Sequence, residues 1–163
     1  MGYRTGNALY AFEKFGNTVL RTAYNHTENM SEAEDITQEV FLKLHTSPQY
    51  FNDDEHLKAW LIRSAINACK NFHKSGRKRF SQPIDDTDES ELSNEYNYEK
   101  SEVTELMELL PEKYRNVMFL YYYEEYSTKE ISEITGQKES TIRSLLKRGR
   151  EKLKNEMEGF GHE

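Results

Sequence analysis

The sequence is poor in residues that cross-link, punctuate or anchor a chain. One cysteine, Cys69, excludes an internal disulfide and suits a reducing compartment. Three prolines in 163 residues fit a largely helical protein. No apolar run approaches the length of a membrane span, and no cationic-then-apolar segment opens the chain. A cytoplasmic protein without direct membrane insertion or a secretory signal is therefore expected. Phosphate-cradling glycine loops, a nucleophile elbow and an HExxH pair are all missing, so neither an enzyme nor a bound cofactor is expected. Cys69 and His73 lie four apart on one predicted helix face, but a structural zinc takes four ligands and no second pair occurs. His26, His45, His56 and His162 stand singly, and no metal site is expected.

What the chain does have is charge, 31 % of its residues, unevenly placed. Residues 85–105 hold nine acids and one base, a balance of −8 in a chain whose net charge is −7, which leaves +1 for everything else. His56 to Ile84 has no acid and seven bases, Lys58, Arg63, Lys70, Lys74, Arg77, Lys78 and Arg79. Basic, acidic and basic blocks in sequence are what an electrostatic footprint for nucleic acid looks like.

Helical periodicity runs through the N-terminal half. Leu9, Phe12, Val19, Leu20, Ala23 and Tyr24 mark a first helix ending near residues 25–29. Ser31 and Glu34 read as a capping box opening a second, with Ile36, Val40, Phe41 and Leu44 inward and Asp35, Gln38, Glu39 and Lys43 on more exposed faces. Pro48 stops it. A polar loop, Phe51 to Glu55, leads to a third helix with Leu57, Trp60, Leu61, Ala65, Ala68 and Phe72 inside and Arg63, Asn67, Lys70 and Lys74 elsewhere; Gly76 ends it. Aromatics among bases can stack on single strands, although Trp60 and Phe72 also suit a core. Residues 81–101, rich in acids and without period, read as a flexible linker spanning about 70 Å at full stretch. Val103, Leu106, Leu109 and Leu110, then Pro111 and Tyr114, Val117, Met118 and Tyr121, begin a second bundle.

Tyr126 to Lys154 reads as a helix-turn-helix. Ser127 or Thr128 caps a short helix with Ile131 and Ile134 inside, Gly136 ends it, and a polar turn leads to a longer helix capped by Ser140 or Thr141. That helix has an apolar side of Ile142, Leu145, Leu146 and Leu153 and a basic side; residues 138–154 carry seven bases against Glu139 and Glu151. Such a hairpin places its second helix in a major groove, where phosphate neutralisation dominates affinity.

Four segments, in order, resemble one family. Glu34 to Phe41 (EDITQEVF), Trp60 to Asn67 (WLIRSAIN), Leu110 to Arg115 (LPEKYR) and Ser140 to Arg150 (STIRSLLKRGR) are similar to the DAEDxxQExF, WLxxIAxN, LPxxxR and GTVxSRxxRAR signatures of extracytoplasmic-function (ECF) sigma factors, the small two-domain sigma subunits of bacterial RNA polymerase. The resemblance covers residues 8–157. It implies an all-α protein of two small bundles, a region 2 domain over 1–80 and a region 4 domain over 102–163, joined by the acidic linker 81–101.

It also implies roles. Asp35, Gln38, Glu39 and Phe41 would bind core polymerase. Phe51, Trp60, Arg63, Asn67, Lys70 and Lys74 would read the proximal (−10) promoter element, Phe51 and Asn67 lining a pocket for a flipped base. Ser140, Thr141, Arg143, Ser144, Lys147 and Arg148 would read the distal (−35) element, where Arg and Lys suit guanine. Leu145 and Gly149 depart from the family's usual Arg and Ala. Expected partners are core RNA polymerase, promoter DNA and an anti-sigma factor. The rival readings are a stand-alone helix-turn-helix regulator, which explains the C-terminal half only, and a protein whose basic faces engage an acidic partner.

Overall fold

A computed structural model describes residues 3–4, 8–47, 49–74 and 102–160. The chain closes two compact units, Met1–Tyr98 and Glu99–Glu163. The predicted linker at 81–101, the stops assigned to Pro48 and Gly76, and the bases Arg77 to Arg79 lie outside the described residues.

Among the described residues, the first unit is a bundle of three helices. Helix α1 (Ala8–Thr27) presents Ala11, Phe15, Val19, Leu20 and Ala23; α2 (Met30–Thr46) presents Ala33, Ile36, Val40, Phe41 and Leu44; α3 (Asp54–Lys74) presents Leu57, Leu61, Ala65 and Cys69. These spacings of three and four put one apolar stripe per helix on the shared axis. Leu9, expected in that stripe, falls off it and is exposed. Helix α2 begins earlier than its supposed Ser31–Glu34 capping box. Asn29 is the cap, its side chain accepting from the Glu32 amide at 3.1 Å, and Glu34 is buried one turn on. An Asn is as good a cap as a Ser, and this one adds another half turn of helix.

Before α3, a two-residue strand β2 (Tyr50–Phe51) pairs antiparallel with β1 (Tyr3–Arg4), Tyr3 opposite Phe51 and Arg4 opposite Tyr50. Asp53 caps α3 by accepting from the His56 amide at 2.8 Å, and His56 Nδ1 accepts in turn from the Asn52 amide at 3.1 Å. The polar loop is thus closed by reciprocal bonds.

In the second unit, α4 (Glu102–Glu108) and α5 (Glu112–Met118) meet at Pro111, the residue before the first turn of α5. Leu109 falls in the corner between them and is exposed. Helix α5 runs into a π-helical turn, Phe119–Tyr123, whose Phe119 carbonyl accepts from Glu124 N at 3.1 Å. Helix α6 (Thr128–Thr135) and α7 (Glu139–Phe160) complete the unit. Its core gathers Leu110, Tyr114, Val117, Met118, Phe119, Leu120, Tyr126, Ile131, Ile134, Ile142, Leu145 and Leu146.

Candidate nucleic-acid interface

Helices α6 and α7 form the helix-turn-helix, and its local chemistry is strong. Ser127 accepts from the Glu130 amide while Glu130 accepts from the Ser127 amide, both at 3.1 Å, a complete capping box. Gly136 ends α6 at φ 78, a left-handed conformation that glycine adopts without a Cβ penalty. Across the turn, Ser132 Oγ donates to the Gln137 carbonyl at 2.6 Å. The recognition helix starts at Glu139, one turn's edge earlier than the caps expected at Ser140 or Thr141. Ser140 and Thr141 lie inside its first turn, and Ile142 N donates to the Lys138 carbonyl.

Burial sorts this helix into two sides. Ile142, Leu145, Leu146 and Gly149 are enclosed, whereas Ser140, Thr141, Arg143, Ser144, Lys147 and Arg148 are all exposed. The six residues expected to meet DNA share the open side of one helix. Leu145, which stands where an Arg was expected, is a core residue here. Gly149 is buried because α5 passes close by: a Cβ there would stand 2.6 Å from Met118 Sδ. Ser144 Oγ donates to the Ser140 carbonyl at 3.1 Å, within the helix. Arg150, beyond this face, donates to Tyr122 Oη at 3.0 Å, a bond that raises the guanidinium pKa above its ordinary value.

One residue of this face was missing from the expectations. Glu139 Oε1 accepts from Thr128 Oγ1 of α6 at 2.9 Å and pairs with Arg143 Nη1 at 3.1 Å. An acid on a basic helix reads in sequence as a local charge defect; its i,i+4 spacing to Arg143 is legible there, but the bond from Thr128 becomes visible only once α6 is folded beside it.

In the first unit, Trp60, Arg63, Asn67 and Lys70 occur on successive turns of α3. Arg63, Asn67 and Lys70 are exposed and Trp60 is half-buried. Lys74 closes the same helix, and its side chain, like that of Phe72, lies outside the described residues. Phe51 is different: it is 1 % exposed and belongs to the core. The strand pairing turns it inward, where its ring meets Trp60 at 5.8 Å and His56 at 5.1 Å, both edge-on. It supports Trp60 and offers no open face for a base. Lys43 Nζ lies over the Trp60 ring, 5.8 Å from its centroid.

On α2, Asp35, Gln38 and Glu39 are exposed on one face, and Leu42, 62 % exposed, continues it one turn on. A bare leucine in a polar stripe is a second feature that periodicity alone did not single out. Phe41 points away, buried edge-on against Phe12 at 5.3 Å, so it shapes that face from beneath. Cys69 is buried, and no group of three potential metal-binding side chains occurs among the described residues.

Comparison with known proteins agrees with both units. Residues 11–79 match the family model for Sigma-70 region 2, and residues 100–153 match that for Sigma-70 region 4. The chain is 31% identical over 149 residues to the ECF RNA polymerase sigma factor SigM of Bacillus subtilis, covering 88% of this chain and 90% of that protein. It is 28% identical over 130 residues to the RNA polymerase sigma factor SigV of the same organism, covering 78% and 77%. In fold it resembles the sigma factor RpoE of Bartonella quintana, solved in complex with the anti-sigma factor NepR, with a TM-score of 0.64 at 19% identity over 94% of this chain and 98% of that one.

Proposed function

Because the chain belongs to the ECF sigma factors of the sigma-70 family, proteins of transcription initiation, we propose that it carries core RNA polymerase to promoters through three separate surfaces. The exposed stripe of Asp35, Gln38, Glu39 and Leu42 on α2 docks core polymerase. Trp60, Arg63, Asn67 and Lys70 on α3, with Lys74 in its last turn, read the proximal element as it opens. Extruding a base costs a few kcal/mol, and a pocket that stacks the base and bonds its edge offsets this. Phe51 contributes by bracing Trp60. Ser140, Thr141, Arg143, Ser144, Lys147 and Arg148 on α7 read the distal element in the major groove.

Region 2 corresponds to residues 1–80 and region 4 to 102–163, with 81–101 as the tether between two DNA contacts. The protein has no chemistry of its own in this scheme; its work is binding. It operates in the cytoplasm, consistent with the absence of any helix long and apolar enough to cross a membrane among the described residues. An anti-sigma factor is the expected regulator, as the fold relatives solved with NepR and with CnrY suggest.

The observation that carries this reading is the polar stripe on α2 joined, in one chain, to a basic helix-turn-helix. A stand-alone regulator needs only the latter. Co-elution of the purified protein with bacterial core RNA polymerase, followed by start-site mapping on a genomic promoter library, tests it. Stable co-elution with new start sites is expected. Arg143→Ala with Lys147→Ala should lower distal-element selectivity and spare core binding, while Asp35→Ala with Gln38→Ala should weaken core binding. Tight duplex binding by the protein alone, without co-elution, would overturn the reading in favour of the regulator.

A further inference from the structure

We infer that Glu139 is a positioning residue for Arg143, fixing which base pairs of the distal element the recognition helix discriminates. The inference rests on the proposed use of α7.

An acid on a helix that approaches phosphates carries an electrostatic penalty, so its presence calls for a function. Its favourable place in the first turn of α7, near the positive end of the helix dipole, is one contribution. The geometry goes further. A single oxygen, Oε1, takes a hydrogen bond from Thr128 at the start of α6 and holds Arg143 Nη1 one turn along α7. The two helices of the motif and the arginine are thereby joined at one atom. Thr128 is itself held in the first turn of α6, next to the N-cap residue Ser127.

The pair adds little to stability. The Glu139 side chain is 41% exposed and that of Arg143 60%, and exposed ion pairs between flexible side chains contribute little. What it changes is the arginine's freedom. A guanidinium has five donors in a planar fork. With Nη1 engaged by Glu139, the edge formed by Nε and Nη2 remains for a bidentate partner such as the O6 and N7 of guanine. An arginine already held in one rotamer loses less freedom on binding, an advantage of about threefold to tenfold in affinity for one rotamer-rich side chain. Thr128 sets the carboxylate, and the carboxylate sets the arginine.

The experiment uses the full chain assembled with core RNA polymerase, on a promoter recovered by start-site mapping and its single-base-pair variants across the distal element. Discrimination is the ratio of binding to parent and variant promoters. Arg143→Ala should cost about tenfold at one or two adjacent base pairs. Glu139→Ala should cost about threefold to tenfold at the same base pairs and nothing further in an Arg143→Ala background. Glu139→Gln, which keeps an acceptor for Thr128, should fall between, and Thr128→Val should reproduce part of the loss. Core affinity should stay unchanged, and the variants should remain folded by circular dichroism, with a modest loss of stability from the missing first-turn acid or interhelical hydrogen bond.

Three results would overturn the inference while leaving the function intact. Glu139→Ala could tighten binding to every promoter alike, showing simple phosphate repulsion. Its loss could add to that of Arg143→Ala, or it could fall at other base pairs, showing a direct contact instead. If Arg143→Ala left discrimination unchanged throughout, the proposed reading by α7 would fall first and the role of Glu139 with it.

Discussion

Arg115 is only 2 % exposed, yet it carries a permanent charge. Its Nη1 donates to the Leu110 carbonyl at 3.0 Å, five residues back and across Pro111. Proline leaves the backbone short of one donor at this corner, and the arginine supplies it. The spacing of LPEKYR thus has a structural cause that is separate from DNA contact. Arg115→Met keeps much of the apolar stem but strands that carbonyl, and we expect a loss of about 1–3 kcal/mol, read as a lower denaturation midpoint at unchanged slope. An unchanged midpoint would mean that the carbonyl finds another donor. The same separation of motif from contact applies to Phe41 and Phe51. Phe41 closes a segment that resembles a functional signature and Phe51 stands in the loop expected to line the base pocket, yet both are core residues that shape a neighbouring surface. The exposed members of those signatures, Asp35, Gln38, Glu39, Arg63 and Asn67, were legible because a helix repeats every 3.6 residues and sorts its faces by hydropathy.

At the level of elements, the crossing of α5 and α7 depends on Gly149. A helix-interior glycine costs about 1 kcal/mol relative to alanine, so it persists where a side chain would collide, and Met118 occupies that space. Gly149→Leu should destabilise the protein by about 1–3 kcal/mol through overpacking, and by less in a Met118→Ala background, measured by thermal denaturation. Equal costs in both backgrounds would place the collision elsewhere. Elements built on local chemistry were readable in advance: Ser127 with Glu130, and Gly136 at the end of α6, act over three or four residues. Those that depend on distant partners were not. The inward turn of Phe51 is set by strand pairing with residues 3–4, and the bond from Thr128 to Glu139 requires the hairpin to have folded. The start of α2 was misplaced for a different reason, since Asn29 and Ser31 are both competent caps two residues apart. The π-helical turn Phe119–Tyr123 has no local signature, because FLYYY continues an apolar helical pattern.

On the scale of the whole molecule, the chain divides its labour between two separately closed cores, and its acidic total conceals a basic recognition helix. Net charge alone would have argued against DNA. Separate cores also imply separate stabilities, since cooperativity follows shared packing. The sole tryptophan, Trp60, lies in the first unit, half-buried and in contact with Phe51 and Lys43 on the face proposed to meet the opening strand. Its fluorescence is therefore an optical reporter for that unit alone, while circular dichroism sums the helices of both. Under increasing denaturant the two signals should give distinct transitions; superimposable curves would show that the units unfold as one. The same indole, next to the proposed pocket, should change its emission when the protein captures a single-stranded oligonucleotide there, so strand capture by this protein can be followed without attaching a dye.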